Sequence, residues 1–255
     1  MPEGDTIWRT AAALRARIAG RTVLRAAPAG LERLSGRDVE AVEATGKHLL
    51  IRFAARPPSP ALVLHSHMRM TGAWHLYAPG ERWRRPAHRA RAVLEVEGAV
   101  AVCFDAPVVE LRPDDGGATR HLGPDILADD FDAGEAVALA RADADRPLGE
   151  LLLDQRVCAG IGNIYKCNTL WRLRLDPWSS AGALDDDALR RVYTTARELM
   201  LAGRDHPGPG PLRMAGVHAR SRRPCPRCDT PIRVRPQGEQ GRLTYFCPGC
   251  QTGGG

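Results

Sequence analysis

The sequence predicts an α+β chain of several domains: a β-sandwich led by one helix, then a helical domain, then a small β-hairpin held by cysteines. Three observations predict it. Short β-type runs broken by turn residues fill the first part of the chain, helical periodicity dominates residues 147–203, and two Cys-x2-Cys pairs bracket a hairpin pattern near the end.

Each element has a local reason. Residues 5–19 place Ile7, Ala11, Leu14 and Ile18 at helical spacing, with an Asp/Thr start and Gly20 as a stop. The β-type runs are Thr22–Ala26, Asp38–Ala44, His48–Phe53, Leu62–His65, Ala92–Val96, Val100–Phe104 and Val108–Leu111. Gly36, Gly46, Pro57-Pro58, Pro79-Gly80 and Gly98 separate them. This pattern implies a sandwich over 1–115. The stretch 116–146 is rich in acids and turn residues and reads as a linker with a short helix near 133–142. Helices are predicted over 147–155, 163–171 and 185–200, the last with an Asp cluster that suits its N-terminal dipole. These fall in a helical domain over 147–212. A Pro/Gly hinge at 207–211 leads to a cysteine-bearing segment, 213–255.

Composition narrows the class. Of 255 residues, 44% are hydrophobic and 26% charged, which excludes disordered, collagen-like and coiled-coil chains. No apolar run is long enough to span a membrane, and the start lacks the basic region of a signal peptide, so a cytoplasmic protein with no membrane partner is expected. The net charge of +6 is located: residues 213–255 carry eight Arg against Asp229 and Glu239. A basic tail on a neutral body suggests a polyanionic partner such as nucleic acid; a merely solvated tail is the alternative. Only Lys47 and Lys166 are lysine among 36 basic residues. Where Arg is used so widely, a surviving Lys is a candidate for amine chemistry, because Arg cannot give up its proton.

Four of the seven cysteines form C-P-R-C (Cys225, Cys228) and C-P-G-C (Cys247, Cys250), spaced C-x2-C-x18-C-x2-C. Two such knuckles complete a closed tetrahedral thiolate site, so one structural zinc is expected; a pair of disulfides is the alternative. Between them, 232–235 and 242–246 alternate as a hairpin. Cys103, Cys158 and Cys167 read as small buried residues.

Two further features bear on chemistry. The segment A-G-I-G-N (159–163) joins two predicted helices, and a Gly-rich turn entering a helix can present N–H groups to a phosphate; Asn163 adds amide donors. At the start, removal of Met1 would leave Pro2 as a secondary amine. A terminal amine titrates near about 8 and is partly nucleophilic at neutral pH. Glu3 beside it could shuttle protons. An ordinary interhelix turn and an ordinary chain start are the alternatives.

Six segments occur together: M-P-E-G-D-T, T-G-K-H-L-L-I-R-F (45–53), H-S-H-M-R-M-T-G (65–72), H-L-G-P-D (121–125), A-G-I-G-N-I-Y-K (159–166) and C-P-R-C…G-R-L-T-Y-F-C-P-G-C-Q. In this order they resemble the formamidopyrimidine-DNA glycosylase/endonuclease VIII family over essentially the whole chain. The resemblance implies a β-sandwich with the catalytic N-terminus, and a helix–two-turn–helix domain with a zinc finger. Pro2 matches the Schiff-base nucleophile, Glu3 its acid/base partner, and Lys47, placed on a strand, the lysine of base removal and β-elimination. Arg242 matches the zinc-finger arginine that contacts phosphate and is associated with δ-elimination. Asn163 matches the phosphate-binding asparagine, and Arg69 and Met70 fall in the loop that fills the gap left by a flipped base. His121 and Arg220 are further candidates for DNA contact.

Some positions depart from the pattern. Asn168 stands where most relatives carry Glu. The segment Asp105-Ala106-Pro107-Val108-Val109 lacks the arginine pair and Phe of formamidopyrimidine glycosylases. Residues 203–214 are too few for the lesion-capping loop of that branch, and the chain opens P-E-G. These departures favour the endonuclease VIII branch and oxidised pyrimidines over 8-oxoguanine. The expectation is therefore a monomeric bifunctional DNA glycosylase/AP lyase of base-excision repair, acting on double-stranded DNA that contains damaged bases or abasic sites. A weakened family member that only binds damaged or gapped DNA is the runner-up, and a non-enzymatic zinc-finger protein is third.

Overall fold

Alternating apolar residues in the first part of the chain bury one face of two sheets against each other. The structure, a computed structural model, describes residues 2–113, 116–206 and 216–251. The chain divides into two compact units, Met1–Arg120 and His121–Gly255.

The first unit begins with helix α1 (Gly4–Ile18), whose Ile7, Ala11, Leu14 and Ile18 are all buried. Eight strands follow: β1 (Val23–Ala27), β2 (Val39–Thr45), β3 (His48–Phe53), β4 (Leu62–His67), β5 (Ala73–Tyr77), β6 (Ala90–Val96), β7 (Ala99–Phe104) and β8 (Val108–Pro113). They form two antiparallel sheets, ordered β1-β6-β7-β5 and β2-β3-β4-β8. Their inner faces share one core with α1, built from Val42, Ile51, Phe53, Leu64, Trp74, Leu94 and Ala101 among others. These two sheets and α1 are the predicted sandwich with its leading helix.

Strand β5 is absent from the sequence reading for a physical reason. Trp74 and Leu76 face the shared core, while Tyr77 joins a second cluster with Val93, Val102, Phe104 and Trp83 on the other face. With both faces covered the apolar/polar alternation is lost, and His75 interrupts the continuous apolar run by which β7, also buried on both faces, is read. Lys47, expected on a strand, lies instead in the two-residue turn between β2 and β3, closed by the pair Thr45–His48. Gly46, at φ 58°, takes the positive-φ position that such turns require.

The second unit holds α2 (Ala133–Arg141), α3 (Leu148–Leu151), α4 (Asn163–Leu173), α5 (Asp186–Asp205) and the antiparallel hairpin β9 (Arg233–Gln237) and β10 (Arg242–Phe246). Helix α5 packs on α2 and α4 through Leu189, Val192, Ala196 and Met200, and Asp185 caps its N-terminus. The helix predicted over 147–155 is cut to one turn. Asp154 accepts from the Arg156 amide and guanidinium and from Arg146, so local side-chain bonds replace the helical ones. The 207–211 hinge lies outside the described residues. Among the described residues, no helix is long and apolar enough to cross a membrane.

Candidate active site and DNA-contact residues

The start of α1 is set by Glu3. Its extended backbone (φ −110°, ψ 178°) precedes the helix, and its carbonyl accepts from the amides of Thr6 and Ile7 at 2.9 and 3.1 Å. The Glu3 residue is only 1% exposed, directly after the half-buried Pro2. Asp5, two residues on, is fully buried and accepts from Thr6 Oγ1 at 3.3 Å and Arg9 Nη2 at 3.4 Å. Two carboxyls thus sit buried within three residues of Pro2. Burial without compensation is costly, so carboxyls held in this way are built features. In the sequence Asp5 reads only as part of a helix start, and its burial has no sequence signal.

Lys47 is 8% exposed at its turn. Beside it lies a histidine cluster the sequence reading did not single out. His48 and His65 stack with centroids 5.0 Å apart, and His48 Nδ1 lies 2.8 Å from His65 Nε2. His67 meets His48 edge-on at 4.9 Å. The period of two on β4 puts His65 and His67 on one face, which could have flagged them. Burial, with the charges of Lys47, Arg69 and His65, pushes the His67 pKa down to about 4. Its neutral Nδ1 accepts from the Arg69 amide at 3.2 Å. Arg69 is exposed at φ 43°, and Met70 beside it is 66% exposed.

In the second unit, Asn163 opens α4 behind the Gly-rich turn. Gly160 adopts φ 106°, and Gln155 ties this turn together by accepting from the Gly160 amide and donating to the Ile161 carbonyl. Asn163 Nδ2 donates to the Leu243 carbonyl at 2.8 Å, and among the described residues its Oδ1 is buried without a hydrogen-bond partner. Leu243 follows Arg242, which is exposed at the start of β10 and donates Nε to Gln240 at 3.3 Å. Among the described residues no carboxylate pairs with Arg242. Lys166, the second lysine, is fully buried and donates to Thr244 Oγ1 at 2.7 Å, so it ties helix to hairpin. Asn168 also has a defined task. Its Oδ1 accepts from the amides of Val217 and His218 at 3.0 and 3.2 Å, and a Cβ on Gly216 would collide with it. Arg220 donates to the Pro224 carbonyl at 3.2 Å, and His121 is exposed in a turn.

The donor atoms of Cys225, Cys228, Cys247 and Cys250 all lie within 4.8 Å of one another, and among the described residues they form the only such cluster. The sulfurs of Cys225 and Cys250 are 3.9 Å apart and those of Cys228 and Cys247 3.5 Å. A zinc tetrahedron with bonds of about 2.3 Å has edges of about 3.8 Å, whereas a disulfide needs about 2.05 Å. The donor set and spacing fit a closed thiolate site. Trp171 Nε1 and the Arg227 amide both donate to Cys225 Sγ, at 3.3 and 3.4 Å, as the outer shell of such a site does.

Two family models match the chain: the formamidopyrimidine-DNA glycosylase N-terminal domain over residues 1–107, and the formamidopyrimidine-DNA glycosylase H2TH domain over 122–206. The chain belongs to the formamidopyrimidine-DNA glycosylase/endonuclease VIII family. Within this family of DNA glycosylases and AP lyases, its similarities run to the endonuclease VIII branch. The chain is 42% identical to the Streptomyces coelicolor protein named "Probable endonuclease 8 2", covering 99% of this chain and 95% of that one. It is 40% identical to "DNA-(apurinic or apyrimidinic site) lyase Nei2" of Mycolicibacterium smegmatis, over 99% of each. The crystal structure of the MutM (Fpg) protein from Thermus thermophilus shares 30% identity, with a TM-score of 0.79 and full coverage of both chains.

Proposed function

We propose that this member of the glycosylase/endonuclease VIII family is a bifunctional DNA glycosylase/AP lyase that removes oxidised bases, pyrimidines in preference, from double-stranded DNA. One observation carries the reading: Glu3, 1% exposed, stands directly after Pro2 at the mouth of α1. Once Met1 is removed, Pro2 offers a secondary amine that attacks the sugar C1′ while the Glu3 carboxyl supplies the proton the departing base or ring oxygen needs. The base leaves and an iminium forms. Loss of a C2′ proton then expels the 3′ phosphate, and a second elimination expels the 5′ phosphate. The cationic Lys47, beside the uncharged His67, holds the phosphate and the charge that builds during base removal.

Asn163 and Arg242 grip the backbone of the damaged strand, and Arg69 with Met70 occupies the space the extruded base leaves. His121 and Arg220 give further backbone contact. Cys225, Cys228, Cys247 and Cys250 hold one zinc ion, which when bound fixes the hairpin and takes no part in the chemistry. The pyrimidine preference rests on the 105–107 connection, which holds neither Arg nor Phe, and on relatives named endonuclease 8 and Nei2. The test is a panel of duplexes, each with one oxidised pyrimidine, 8-oxoguanine or an abasic site, with both product ends resolved. Strand cleavage leaving phosphates on both ends is expected, faster for pyrimidines. Binding without cleavage of any member would overturn the reading.

A further inference from the structure

The connection Met68–Gly72 leads from β4 in one sheet to β5 in the other, and Asp105–Pro107 runs beside it from β7 to β8. Register sets the two side by side: Ala73 pairs with Phe104 at one end and His67 with Val108 at the other. The fit between them is close. A Cβ on Gly72 would stand 2.7 Å from the Met68 carbonyl and 2.8 Å from the Ala106 Cα. Met70, 66% exposed, tops this connection.

Asp105 is the centre of a set of bonds that fixes the pair. Its carbonyl accepts from Thr71 Oγ1 at 2.9 Å. Its carboxylate takes Arg85 Nη1 on one oxygen at 2.5 Å and Arg89 Nε on the other at 2.6 Å. Arg85 Nη1 also donates to the Thr71 carbonyl at 3.2 Å, and the Asp105 amide donates to the Arg89 carbonyl at 3.1 Å. The arm carrying these arginines is itself anchored. Trp83 packs edge-on against Phe104 at 5.8 Å and stacks on Tyr77, whose hydroxyl accepts from the Arg84 amide. Asp105 adopts φ 53° and Arg69 φ 43°, uncommon values for side-chain-bearing residues that persist only where surrounding bonds determine them. Burial acts to raise the Asp105 pKa, but the bonds and charges of Arg89 and Arg85 outweigh it and hold the group ionised.

We propose that Asp105 is a positioning residue: clamped by Arg85 and Arg89, it holds the Met68–Gly72 connection so that Met70 is already posed to enter the duplex as a damaged base leaves. This rests on the reading of Met70 as the residue that fills the gap. A loop ordered before binding spares the complex the ordering entropy, so the clasp speeds base extrusion without touching DNA itself. It also accounts for the makeup of the 105–107 segment. The segment supplies no side chain to fill the gap and instead fixes the side chain that does.

The experiment is a double-mutant cycle on the full-length zinc-loaded enzyme, using Asp105→Asn, Met70→Ala and both. Asn tolerates positive φ and keeps the shape while losing the charge. The readouts are kcat/KM on the lesion duplex the wild type cleaves fastest, and 2-aminopurine fluorescence beside the lesion, which reports unstacking. Asp105→Asn should lower kcat/KM about tenfold, short of the roughly hundredfold that a misplacement of about 1 Å can cost, and should slow the fluorescence rise. In the Met70→Ala background it should cost nothing further, because there is no wedge left to pose. A full additional loss in the double variant would mean a general structural effect and would overturn the proposal. A loss for Met70→Ala alone, with Asp105→Asn unchanged, would sink the clasp and leave the gap-filling reading standing. No loss for Met70→Ala would sink both. Should Asp105→Asn fail to fold, Thr71→Val, which removes the hydroxyl bond to the Asp105 carbonyl, carries the same cycle with the same outcomes.

Discussion

Asn163 on α4 donates to the carbonyl of Leu243, the residue after Arg242, at 2.8 Å. The side chain of one proposed phosphate-gripping residue is therefore tied to the backbone next to the other, so a shift of either segment is expected to disturb its neighbour. Arg242→Ala should weaken binding to any duplex and lower the salt slope by about one. Asn163→Ala should also weaken it, and the double variant should depart from additivity by about 0.5 kcal/mol or more. Binding titrations at several salt concentrations measure this. Additive losses would show that the bond does not couple the pair.

Lys166 and Thr244 make a second tie between α4 and the hairpin. Thr244 Oγ1 accepts from the lysine at 2.7 Å and donates to Gln237 Oε1 at 2.8 Å, and Gln237 Nε2 donates to the Pro177 carbonyl at 2.7 Å. Leaving a buried donor without its partner costs about 1–3 kcal/mol. Thr244→Val should lose that much stability in denaturant unfolding while keeping its volume. Unchanged stability would mean this chain of bonds is incidental.

Metal removal should act on the hairpin first. Cys225, Cys247 and Ile232 form a small cluster with Cys167 and Val217, too few residues to hold two short strands without a staple. Chelation or Cys225→Ser should release one zinc per chain, unfold residues 216–251 and lower DNA affinity. Metal analysis with proteolysis reads this out. A hairpin that stays protected after full chelation would count against a structural ion.

Much of this was legible in the sequence, and the exceptions share a cause. The α1 stripe, the Cys-x2-Cys pairs and most strands are written as local periodicity, which survives without knowledge of neighbours. Strand β5 was not legible because Trp74 and Tyr77 bury opposite faces. The Asp154 turn hides inside a helical pattern because its bonds to Arg156, two residues on, and Arg146, eight residues back, are made by side chains and leave the apolar spacing unchanged. The Asp105 clasp joins residues up to 34 apart, and no spacing rule announces such a meeting. Asn168, a departure at the level of sequence, is explained by its two amide donors in space.

His67 should make stability depend on pH in a defined window. Its folded pKa is pushed down to about 4, below the ordinary value of 6.5. Between these values the unfolded chain binds more protons, so stability rises with pH there. The contribution is complete above about 6.5, fades as pH falls, and is gone below about 4. His67→Gln should flatten this part of the wild-type curve of melting temperature against pH. Identical slopes for the two proteins between pH 4 and 6.5 would show that the ring titrates normally.

The N-terminus offers the most discriminating test, because the proposed nucleophile must be a free amine. An amide nitrogen shares its lone pair with a carbonyl and cannot attack C1′. Mature protein should therefore form a covalent adduct with abasic DNA when borohydride is present, since reduction traps the iminium. Retaining Met1, or adding an N-terminal tag, should abolish trapping and cleavage while leaving DNA affinity largely intact. Lys166 makes a useful internal control, since it is fully buried and bonded to Thr244, so it should carry no adduct. Lys47, 8% exposed at its turn, is the one competing amine. Glu3→Gln should impair base removal more than cleavage at a pre-formed abasic site, because only the first needs a proton delivered as the base departs. Mass spectrometry of the trapped species should place the adduct on Pro2. An adduct on Lys47, or full activity with Met1 retained, would overturn the mechanism.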